Sequence, residues 1–181
     1  MKKNKLLVQL LVCIFVLGVF FVSCGSDESD TWSPVASILQ LSGTWSGSLN
    51  ERMSIRNFIE MSGETYTPEM AALFGNMNVN ISATMITTVN ASARTSRQLT
   101  NETYRFTGGN INTAWPFIRA IFQGSDFTIN DANRSISIVY DYTETITDSD
   151  LLGMRINKNG RRVKAPFYLG DRRVDVIFTR Q

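Results

Sequence analysis

The chain contains no histidine, and its only cysteines are Cys13 and Cys24. Each shortage removes a class of chemistry. Without imidazole the commonest general base near neutral pH and the commonest neutral metal ligand are missing. Neither a Ser-His-Asp nor a Cys-His arrangement can be assembled from these residues, nor a zinc site of the His/Cys type. A glycine-rich phosphate loop is lacking too, because Gly108-Gly109 is a turn signal and not a P-loop. Carboxylates remain available. The closest acidic pair of the domain, Asp148 and Asp150, lies in "TITDSDLLG", which reads as a loop between strands. Those acids suit a solvated turn, and the stretch lacks the ligand spacing of an EF-hand calcium loop. The expectation is a protein that is not an enzyme and that holds no cofactor and no metal.

Long apolar runs are equally scarce, with one exception at the start. Lys2, Lys3 and Lys5 precede an apolar stretch from Leu6 to Val22 interrupted only by Gln9, and small Ser23 then precedes Cys24. Charge, grease and a small residue in that order form the layout of a secretory signal. Seventeen residues sit at the short edge of what crosses a bilayer core of about 30 Å. The acidic stretch after Cys24, "GSDESD", is the opposite of a Lys/Arg stop-transfer cluster.

Val22-Ser23-Cys24-Gly25 resembles the lipobox of bacterial lipoprotein signals, departing from it at Phe21, where leucine is usual. The resemblance implies cleavage before Cys24, a diacylglycerol on its thiol and acylation of the new amine. Each buried CH₂ adds about 0.8 kcal/mol, so one chain holds marginally and two or three hold firmly. It further implies a bacterial envelope location. Gly25, in place of the Asp that retains such proteins in the inner membrane, points to the outer membrane. The division expected is a signal over 1–23, a lipidated cysteine and flexible tether over 24–34, and a single β-rich domain over 35–181. With Cys13 removed and Cys24 lipidated, that domain has no disulfide and relies on its core alone.

Charge is sorted along the chain. Residues 151–181 carry eight bases against Asp171 and Asp175, whereas 24–150 carry seven bases against fourteen acids. The basic end has two readings: a surface for anionic headgroups or polyanions, or, the preferred one, the outward faces of two strands and their turn made soluble by arginine. No aromatic residues interleave with it in the pattern that stacks on nucleic-acid bases, so nucleic acid is not an expected partner.

Period-2 alternation dominates the chain beyond the tether. Trp45, Gly47 and Leu49 share one face against Ser46, Ser48 and Asn50. Met77, Val79, Ile81, Ala83 and Met85 alternate with Asn78, Asn80, Ser82 and Thr84. "DFTIN" and "RSISIVYDYTETI" flank a turn at Asp131-Ala132-Asn133. "NKNG" joins Met154-Arg155-Ile156 to Val163, and Val174, Val176, Phe178 and Arg180 line one face of a last strand. "MSIRNFIEM" and "ETYRF" are weaker strand candidates. Two short helices are expected, "TPEMAALFGN" with Thr67 as cap and Gly75 as stop, and "TAWPFIRAIFQG" ending at Gly124; "SPVASILQ" is a candidate for one further turn. The fold class expected is mainly β: an antiparallel up-and-down β-barrel with one or two short helices, the alternative being a β-sandwich.

"LSGTWSGSL" resembles the Gly-x-Trp opening strand of lipocalin-like (calycin) barrels. In that superfamily the tryptophan packs at the closed end, covered by a basic residue of the last strand. Here the resemblance implies Trp45 and Arg180 as a barrel-closing pair. It also implies an interior that binds a small apolar or amphipathic ligand. The stripe Trp115, Phe117, Ile118, Ile121 and Phe122 has two readings: core, or, if a ligand is bound, a pocket wall or lid over the barrel mouth. The alternative is a filled core whose outer surface meets an envelope or host protein.

Overall fold

The computed structural model describes residues 31–124, 126–169 and 171–181, so the signal, Cys24 and residues 25–30 of the tether lie outside the described residues. Nine strands form one antiparallel sheet: β1 (Trp32–Pro34), β2 (Gly43–Ser54), β3 (Asn78–Asn90), β4 (Thr95–Thr107), β5 (Phe127–Asn130), β6 (Ser135–Thr145), β7 (Arg155–Asn157), β8 (Arg162–Leu169) and β9 (Arg172–Arg180). They lie in the order β1-β7-β8-β9-β2-β3-β4-β6-β5. The central strands obey their alternation. On β3, Val79, Ile81, Ala83, Met85 and Val89 are buried while Ser82, Thr84 and Thr88 face out. Apolar burial on one face fixes the register, because a slip of one residue would turn this whole row to solvent. β3 accordingly pairs along its full length, Gly43↔Val89 to Ser54↔Asn78 on one side and Asn78↔Thr107 to Asn90↔Thr95 on the other.

The mainly β architecture expected from the sequence is present, as a sheet that curls without closing. β5 covers only Ser135–Ile138 of β6, and β7 covers only Val163–Lys164 of β8. Residues 139–145 and 165–169 therefore each have a strand on one side only.

Among the described residues there are three α-helices where one or two were expected: α1 (Ile55–Met61), α2 (Pro68–Phe74) and α3 (Ile111–Ile121). The additional one is α1, in the stretch read as a strand. β2 runs through Ser54, whose side chain then accepts a hydrogen bond from Asn57 N at 3.1 Å and starts the helix. Ile55 is buried there and its amide reaches Met77 O at 2.9 Å. α2 starts and stops as its sequence dictates, with Thr67 accepting from Met70 N, Pro68 in the first turn and Gly75 at φ +57°. The turn in "SPVASILQ" is a 3₁₀ segment, Ile38–Leu41, closed by a Ser37–Gln40 capping box.

Two apolar clusters fill the concave side. One lies under the helices, joining Phe74, Val79, Ile81, Tyr104, Phe106, Trp115, Ile118, Phe122, Ile136 and Ile138. The other gathers Leu41, Trp45, Leu49, Met85, Val89, Leu151, Val163, Val176 and Phe178 at the opposite end. Among the described residues no α-helix covers this second half; two 3₁₀ turns, Ile38–Leu41 and Asp148–Leu151, lean on it instead.

Candidate functional site: an acidic, aromatic cavity in the uncovered half

Between the second cluster and the inward faces of β4 and β6 lies a cavity of about 590 Å³. Trp45, Phe178, Val163, Ala165 and Phe167 form one wall, and Thr100, Glu102, Tyr140, Tyr142 and Glu144 form the other. Its mouth lies between the singly paired stretches of β6 and β8, where Tyr142, Glu144, Asp150 and Leu152 are exposed.

The inward row of β4 explains both halves. Tyr104 and Phe106 point under the helices and are apolar, whereas Ser96, Gln98, Thr100 and Glu102 line the cavity. Glu102 forms the floor at the boundary and is only 2% exposed. The Tyr104 hydroxyl donates to its Oε2 at 2.5 Å. No described group donates to its Oε1, and that oxygen is not sealed off from the cavity. Burial pushes the Glu102 carboxyl up from the usual carboxylate range, against the pull of the Tyr104 hydrogen bond. Glu144 is also raised, by burial first, with the Ser96 hydroxyl opposing and Asp150 adding to the shift. Desolvation and the nearby carboxylates lift the Tyr140 hydroxyl well above its ordinary value and Tyr142 to about 12, so both remain neutral donors.

The aromatic wall depends on a glycine. Gly47 stands opposite Phe178 across β2 and β9, and a Cβ at Gly47 would fall 2.8 Å from the Phe178 ring. The bare backbone lets that ring lie flat on β2, where it stacks on Phe167 at 6.0 Å.

Of the residues singled out in the sequence, Trp45 and Arg180 are brought together. They are direct partners across β2 and β9, and the guanidinium lies 4.5 Å from the indole centroid. The indole Nε1 donates to Leu41 O at 2.6 Å and Arg180 Nη2 to Gln40 O at 2.8 Å, so the 3₁₀ turn is pinned over this end. The stripe on α3 is placed elsewhere. Trp115, Ile118 and Phe122 are buried in the helix-covered cluster, Phe117 and Ile121 face solvent, and none of the five lines the cavity. The basic C-terminal segment is divided among separate contacts: Lys164 and Arg162 flank the Trp32 ring, and Arg172 pairs with Glu51 at 2.8 Å. Asp148 pairs with Arg94, and Asp150 accepts the Thr147 amide at 2.7 Å, the work of turn acids.

Among the described residues no three His, Cys, Asp or Glu side chains converge as a metal site. No protein-family model, curated protein or solved structure significantly matches the chain.

Proposed function

We propose that the chain is a lipoprotein of the bacterial envelope, anchored through Cys24, whose curled sheet binds a small apolar or amphipathic molecule. The observation that carries the binding half is the cavity itself. About 590 Å³ is the size of a small-molecule site, and its lining joins apolar walls to a few directed polar groups. An empty space of that size would cost contact energy that a filled core keeps, which favours this reading over a solid interior acting through its outer surface. The anchoring half rests on the signal layout and on Ser23-Cys24-Gly25.

Two experiments address the two halves separately. A chain lacking residues 1–30 retains both apolar clusters, whose members all fall within 35–178, and should remain folded and soluble. Native mass spectrometry of that chain, before and after organic extraction, should show a non-covalent adduct or uptake of an added apolar probe. A well-folded domain that takes up nothing would end the binding reading. For the anchor, Cys24→Ser should abolish labelling by radioactive palmitate and leave an unprocessed precursor. Undiminished labelling would remove Cys24 as the lipidated residue.

A further inference from the structure

We infer that the cavity selects ligands bearing a cationic nitrogen, an amine or quaternary ammonium on an apolar body, over fatty acids and other anions. The inference rests on the ligand-binding reading and adds the chemical class of ligand to it. Its basis is how charge is sorted. Residues 24–181 are nearly balanced, with fifteen basic against sixteen acidic side chains, yet among the described residues the cavity is lined by Glu102, Glu144 and Asp150 and by no lysine or arginine. Two bases touch its lining from outside: Arg180 lies against Trp45 and is tied to Gln40 O, and Arg94, bonded to Ile146 O, is paired with Asp148.

The geometry is graded from mouth to floor. Glu144 and Asp150 at the exposed mouth set a negative potential that attracts cations and repels carboxylates. The rings of Tyr140, Tyr142, Phe167 and Tyr168 also line the cavity, and aromatic rings are the π-surface on which an ammonium is stabilised. On the floor, the free Oε1 of Glu102 is an acceptor awaiting a donor, next to an oxygen already held by Tyr104. That oxygen opens onto the cavity and not into sealed protein, so it is accessible to a donor on a ligand, and a charged donor there makes the stronger kind of hydrogen bond. Among the described residues these three carboxylates do not gather as a metal site.

Three probes with one apolar body separate charge from grease: octylammonium, octanol and octanoate. They are titrated calorimetrically at neutral pH into the mature chain held in phosphatidylcholine nanodiscs, with empty nanodiscs subtracted. Octylammonium should bind more tightly than octanol, and at least about tenfold more tightly than octanoate, the scale of one charge-assisted hydrogen bond. Glu102→Gln keeps the shape and an acceptor for Tyr104; it should reduce octylammonium affinity to that of octanol and leave octanol unchanged. Glu144→Gln, at the exposed mouth where folding is not at stake, should shift the preference in the same direction by a smaller factor. Octanoate binding as tightly as octylammonium, or a preference untouched by both substitutions, would overturn the inference. Equal binding of all three probes would do so while leaving ligand binding intact, whereas silence from all three would bring down both.

Discussion

Trp45→Ala is expected to destabilise the domain by about 3–5 kcal/mol, the range for truncating a large aromatic in a core. The indole is only 3% exposed, belongs to the second apolar cluster and ties the Ile38–Leu41 turn to the sheet through Leu41 O. Part of the loss is shared with a neighbour. Arg180→Ala alone should cost about 1–2 kcal/mol, because the guanidinium is exposed on one side and its cation–π and Gln40 contacts are those of a partly solvated group. The double substitution should fall short of the sum by at least about 0.5 kcal/mol, since each change removes the same contact. Denaturant melts of the wild type, both single variants and the double variant measure this coupling. Strict additivity would mean that the stacked geometry contributes nothing, and the resemblance of Gly43-Thr44-Trp45 to a barrel-opening motif would then have no energetic counterpart.

Gly109→Ala should be as damaging, at more than about 3 kcal/mol, for two reasons that add. Gly109 sits at φ +50°, which an L side chain tolerates at a cost of about 1–2 kcal/mol. Its Cβ would also fall 2.5 Å from Phe74 O and 2.6 Å from Met77 N, both backbone atoms that cannot swing aside. The turn from β4 into α3 passes that close because it closes the end of α2. Asn110 N reaches Phe74 O at 3.2 Å and Asn110 Nδ2 reaches Ala72 O at 3.0 Å. Gly160→Ala separates the two reasons: it has φ +69° with open space around it, so it should show the conformational cost alone. Thermal melts of both variants should rank Gly109→Ala well below Gly160→Ala, and similar melting temperatures would show that the α2–α3 contact gives way without resistance.

The strands that were legible in the sequence are those with an apolar face. β3 and β9 declare themselves because one side of each packs on grease, and the two asparagine- and glycine-marked hairpins follow from turn chemistry. β4 was legible only around Tyr104 and Phe106, although it spans thirteen residues. Its other inward residues are Ser96, Gln98, Thr100 and Glu102, which break the apolar alternation because they face a cavity and not a core. What makes the candidate site a site is thus what hid it. The signal available was polar alternation continued in register from an aromatic pair, with a carboxylate as its last member. The error at "MSIRNFIEM" has a different origin. A short amphipathic helix and a strand share apolar spacing over so few residues, and the deciding contacts, Ser54 to Asn57 and Ile55 to Met77, include one across the sheet. The aromatic stripe of α3 was legible as apolar but not as to its half of the molecule, since helical periodicity says which face is buried and never against what.

An unclosed sheet presents backbone donors and acceptors along its free borders, where a strand from a second molecule could add itself. The outermost strands here are three and four residues long, and β1 ends in Pro34, which has no amide hydrogen to give. The longer exposed borders are blunted in other ways. β8 carries Pro166 in the stretch that β7 leaves uncovered, and the bare stretch of β6 carries Asp141 and Glu144. A neighbouring copy would meet missing donors on one border and, on the other, the Glu144 carboxylate and an Asp141 already held by Arg97. Copies of this domain should therefore stay separate molecules, and the gap in the sheet leaves the interior accessible without becoming a seed for fibres.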